Sequence, residues 1–128
     1  MTDFWSSSRE MSSANLNAAL IAMDDASTIG FVMVEIDSAA LTTGETSTGG
    51  KNVGVASVLK NGVGDLTITY DTAFASYGFP YGLAQRSSGV FTNLTIHSIG
   101  AGSCRLIMAT DAAAAIDAVL YFQANGNR

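Results

Sequence analysis

From Val53 to Gln123 the chain keeps returning to one pattern, a short β-branched or aromatic run followed by a cluster of Gly, Ser or Asn. In Asp65–Asp71, Leu66, Ile68 and Tyr70 alternate with Asp65, Thr67 and Thr69, the period-two signature of a half-buried strand. Val53–Lys60 precedes it across Asn61-Gly62-Val63-Gly64, which reads as a hairpin turn because Asn and Gly tolerate positive φ. Tyr77–Arg86, Gly89–Ser98, Ser103–Thr110 and Ile116–Gln123 read as further strands, and Ile29–Asp37 as one more upstream. Asp111–Ile116 has an alanine run of high helix propensity, but so short a segment between strand patterns more often makes a turn, and it reads as a loop. About seven short strands at roughly ten-residue spacing predict a mostly β chain, an antiparallel β-sandwich of jelly-roll-like form.

The first quarter differs. Ser12–Asp25 has an N-capping serine, good helix formers, and Leu16, Leu20 and Met23 on one helical stripe, so a short helix is expected there. Residues 38–52 are small, polar and rich in Gly and Thr, and read as a loop. The expected organisation is an N-terminal anchoring arm over 1–52, with a short helix and one strand, and a β-sandwich knob over 53–128. Charge divides at the same place. Residues 1–50 hold seven acids and one base, and the rest hold four acids and five bases, which together give the net charge of −5.

Composition then limits what such a domain can do. Only 13% of residues are charged, about half the usual ~25%. Mean hydropathy is positive, at +0.28, although no stretch approaches the ~20 apolar residues a membrane helix needs. A lone copy of such a chain is expected to show more apolar surface than one small core hides, with self-association as the remedy. Net negative charge argues against nucleic acid as a partner. The N-terminus lacks the basic start and apolar run of a secretory signal, which with one unpaired cysteine fits folding in a reducing cytoplasm.

The stretch VASVLKNGVGDLTITYDTAFASYGFPYGLAQRSSG, followed by FTNLTIHSIGAGSCRLIMATDAAAAIDAVLYFQANG, resembles the small β-sandwich modules of tailed-bacteriophage virion proteins. Such modules occur in distal parts of tail fibres and in knob-like head-decoration proteins. The matching features are the hairpin NGVGDLTITYDTAF, the aromatic strand after it, the SSG turn and the closing DAVLYFQANG strand, within residues 53–126. The resemblance implies a homotrimer on a virion, made in the host cytoplasm and without enzymatic activity. It implies either a capsid decoration (cement) protein or a short tail fibre whose tip binds a host receptor or glycan. There is no repeated shaft or heptad region, which favours the short knob.

Individual residues fit that expectation better than a catalytic one. His97 is the single histidine, so no multi-histidine metal site can be built, and no cofactor is expected. Cys104 lacks an evident activating base, because its neighbour Arg105 should point to the opposite face of the strand. Asp24, Asp25, Glu35 and Asp37 lack the D-x-D-x-D-G spacing of a calcium loop. Gly49-Gly50-Lys51 is followed by Asn52, so the phosphate-loop spacing also fails. Phe4 and Trp5 are expected to dock into a partner protein in preference to packing on their own β-domain, and with Leu16, Leu20 and Met23 the resemblance implies that they anchor the arm to a major capsid protein or another virion protein. Tyr77, Phe79 and Tyr81 share one face of their strand. They either build the core or a subunit contact, or present rings to a surface ligand.

Overall fold

The computed structural model describes residues 29–86 and 92–128. The expected helix at 12–25, with Leu16, Leu20 and Met23, lies outside the described residues, as do Phe4 and Trp5. Among the described residues the strands are β1 (Ile29–Asp37), β2 (Thr46–Ser47), β3 (Lys51–Val53), β4 (Val55–Gly62), β5 (Asp65–Tyr70), β6 (Phe79–Gln85), β7 (Asn93–Ile99), β8 (Ser103–Ala109) and β9 (Val119–Asn127). They form one sheet ordered β3-β1-β9-β6 and a second ordered β2-β4-β5-β8-β7, with all pairings antiparallel. The protein is therefore an antiparallel β-sandwich, as the strand pattern predicts. No helix among the described residues is long and apolar enough to cross a membrane.

Side-chain alternation assembles the core between the sheets. Val32, Val34 and Ile36 of β1 and Leu120, Phe122 and Ala124 of β9 point inward from the four-stranded sheet. Val58, Leu66, Ile68, Leu106 and Met108 meet them from the five-stranded sheet, and all five are fully buried. Each such side chain contributes about 1.5–3 kcal/mol by leaving water. Phe74 closes one margin, its ring set edge-on to Tyr70 at 5.2 Å.

Two expectations need correction. β1 does not stand apart in an arm: it pairs with β9 along its whole length, Ile29 to Asp37, and three of its side chains are core. The span 38–52 is not all loop, because it carries a 3-10 turn (Ser38–Ala40), β2 and β3. β2 lines the edge beside β4 and β3 the edge beside β1. Glycines at positive φ turn the chain between these short pieces, Gly44 at +89°, Gly49 at +73° and Gly54 at +71°. Residues 111–115 do form a turn, with Thr110 N–H donating to the Ala114 carbonyl at 2.9 Å.

The β4–β5 hairpin depends on one glycine. Gly62 pairs with Asp65, leaving Val63 and Gly64 as the turn, and Gly64 adopts φ +68°. A Cβ there would stand 2.5 Å from the Met108 carbonyl oxygen and 2.7 Å from that of Ile116. Gly64→Ala is expected to cost at least about 1–3 kcal/mol from backbone strain alone. Denaturant unfolding measures it, and an unchanged midpoint contradicts the assignment. Gly62→Ala next door has open space and is the control.

An ionic cluster pins the same end of the sandwich. Lys60 points inward from β4 and is only 5% exposed. Its ammonium donates to the carbonyls of Ser38 at 2.8 Å and Leu41 at 2.9 Å, and to Asp117 Oδ2 at 2.8 Å. Asp117 Oδ1 accepts the Gly64 N–H at 2.9 Å and lies 3.0 Å from Ser38 Oγ. The 3-10 turn, the hairpin and the approach to β9 are joined through these two side chains.

Candidate functional site

The two outward faces of the sandwich differ in kind. On the five-stranded sheet the outward positions are mostly polar and satisfied within the sheet. Arg105 holds Asp65 through bonds of 2.9 and 2.6 Å, Asn61 donates to Thr67 Oγ1 at 2.8 Å, and Thr69 and Thr95 face water. The Arg105 hydrogen bonds keep the Asp65 carboxyl below its ordinary range, against burial acting the other way. Such a face is stable in solvent as it stands.

On the four-stranded sheet most outward positions are apolar. Strand register sets them in rows: Phe31, Asn125 and Phe79; then Val53, Met33, Gln123 and Tyr81; then Lys51, Glu35, Tyr121 and Leu83. Exposure is 66% at Phe79, 63% at Leu83 and 50% at Tyr81. Tyr77, just before β6, packs its ring edge against Phe79 at 5.6 Å. A depression of about 500 Å³ lies beside β6, lined by Met33, Lys51, Tyr81, Leu83, Tyr121 and Gln123 among others. Lys51 and Glu35 are the charged members of these rows and stand opposite each other in register.

The structure thus brings Tyr77, Phe79 and Tyr81 together, with none of the three in the core. The physical reason is the position of β6. It is an edge strand whose inward side is supplied by Pro80, Gly82 and Ala84, and the core beneath is already filled by Phe122 and Leu120. Phe31, Val53, Leu83 and Tyr121 belong to the same face, and sequence reasoning missed them. The signal was present in IGFVMVEID, where both alternating sets begin apolar, Phe31 and Met33 against Val32 and Val34. A strand apolar on both sides carries an apolar outward face as well as a core face.

Cys104 and His97 lie on opposite sides of the five-stranded sheet, one buried and one exposed. Cys104 is 1% exposed, and burial pushes its thiol up to about 11, against a small opposing effect of the Tyr70 hydroxyl. It is therefore protonated and shielded near neutral pH. Arg105 points to the other face of β8, as alternation requires. His97 is exposed on β7, on the side opposite the core-packed Leu94 and Ile96. Among the described residues no group of three or more His, Cys, Asp or Glu could hold a metal ion. What this surface can do chemically is exclude water against another surface. No protein-family model, curated protein or solved structure matches the chain.

Proposed function

We propose that this chain is a non-enzymatic structural protein that acts by assembling, a homotrimeric virion decoration (cement) protein that bridges and stabilises neighbouring capsid subunits. The observation that carries the reading is the contrast between the two sheet faces, one mostly polar and one mostly apolar. Low overall charge supports it, and the sequence resemblance to phage knob proteins supplies the virion setting. In this reading the anchor to a major capsid protein includes Phe4, Trp5, Leu16, Leu20 and Met23. Stabilisation is mechanical in this reading. Three linked copies hold several sites at once, so weak single contacts become strong jointly.

The test is location and consequence. Particles lacking the protein should lose heat resistance, and adding purified protein back should restore it. Particles equally robust without it overturn the cement reading. A second reading is favoured by the exposed trio Tyr77, Phe79 and Tyr81 beside a hollow, since ring faces stack on sugar C–H surfaces: a short tail fibre whose face binds a host glycan. In that case particles without the protein stay heat-stable and fail to attach to cells.

A further inference from the structure

We infer that the outward face of the four-stranded sheet, centred on Tyr81, Leu83 and Tyr121, is the surface by which one copy of this chain binds another. The inference rests on the assembly reading above and names its interface. Size is the first argument. Four strands about 4.8 Å apart, each rising about 3.3 Å per residue, give a flat area on the order of 500 Å². Its apolar members, the greater part of that area, form a patch within the ~300–600 Å² of the largest apolar patches on monomers, which are often functional. With side-chain relief added, the whole face approaches the ~800 Å² per partner of a standard interface.

Charge is the second argument. A chain of net charge −5 meets its own copies at least cost where its surface is neutral. The outward positions carry one base, Lys51, opposite one acid, Glu35, with a second acid, Asp37, at the margin where β1 ends. A face so sparsely charged, with both signs present, meets a neighbouring copy at little electrostatic cost, whereas a strongly acidic or basic partner gains little there.

Shape is the third. The exposed ridge of Phe79, Tyr81 and Leu83 on β6 borders the 500 Å³ hollow over β1 and β9, so each copy offers both a knob and a place for one. Edge-to-edge pairing is disfavoured, because Pro80 removes a backbone donor from the edge strand β6. Copies are thereby directed to meet through this face, the β6 ridge of one seated in the hollow of the next, the head-to-tail contact that closes a trimer.

The experiment is native mass spectrometry and light scattering on the full chain at micromolar concentration. Wild type should show a multimer. Leu83→Arg and, separately, Tyr81→Arg should weaken association roughly 30-fold or more and shift the mass to the 13.2 kDa chain, with an unchanged β circular-dichroism spectrum. Thr69→Arg, on the polar sheet, should leave the multimer intact. If both face variants keep the wild-type mass, copies meet elsewhere: the inference fails and the assembly reading stands. If wild type is itself a single chain, both fail, and a face variant that then loses particle binding assigns the face to a capsid partner. Should the variants misfold, hydroxyl-radical labelling of wild type decides. Labelling of Tyr81 and Tyr121 must drop as concentration rises, and equal labelling throughout overturns the inference.

Discussion

Lys60→Met should destabilise the fold by about 2–4 kcal/mol, somewhat below the ~3–5 kcal/mol typical when one partner of a fully buried ion pair is removed. The discount reflects Asp117, whose side chain is 23% exposed against 6% for Lys60. Methionine fills most of the volume, so the loss is electrostatic: Asp117 keeps its charge without its ammonium, and two carbonyls lose a donor. The pH dependence identifies the cause. In the native protein burial pushes the Asp117 carboxyl up, but bonds from Lys60, the Gly64 N–H and Ser38 outweigh it, and the net direction is down. A depressed folded value stabilises fully above the unfolded aspartate range, about 3.9, and that stability is lost as pH falls through the folded value. Without Lys60, burial dominates and protonation of Asp117 relieves the variant. The stability gap between the two proteins should therefore narrow as pH drops below about 4. Urea unfolding across the acid range measures it, and a gap independent of pH assigns the loss to packing.

Phe122→Ala and Tyr121→Ala should behave oppositely although they are sequence neighbours. Phe122 is fully buried between the sheets, and truncation there costs about 3–5 kcal/mol. For a domain of this size that lowers Tm by on the order of 15 °C or more. Tyr121 points outward and is 40% exposed. Its truncation should change the stability of a single copy by no more than about 0.5 kcal/mol, while weakening association. Both are best read in a Leu83→Arg background, because assembly contributes to the apparent stability of an associating protein. Equal losses in that background would place Tyr121 in the core and remove the basis for a contact face.

Several strands were legible because their neighbours enforce a strict alternation. Leu66, Ile68 and Tyr70 face a filled core while Thr67 and Thr69 face water, and the sequence repeats that division. β3 carried no such signal: Lys51, Asn52 and Val53 are all exposed, and the strand exists through turns at Gly49 and Gly54 and pairing with β1. Nothing local marks Lys60 as buried, because its partner Asp117 lies 57 residues away, beyond any local pattern. The contact face was half legible. One-sidedness at Tyr77, Phe79 and Tyr81 follows from alternation, but whether that side is core depends on what the opposite sheet already supplies. Only the tertiary arrangement, with Phe122 and Leu120 filling the space beneath, decides it.

The solitary thiol of this chain, sealed in the interior at Cys104, leaves the outside chemically blank toward maleimides and other sulfhydryl reagents. A cysteine introduced at any solvent-facing position therefore becomes a unique handle without deleting the native one. Dyes, spin labels or gold clusters can be attached at single chosen points, so distances between copies can be triangulated on intact material.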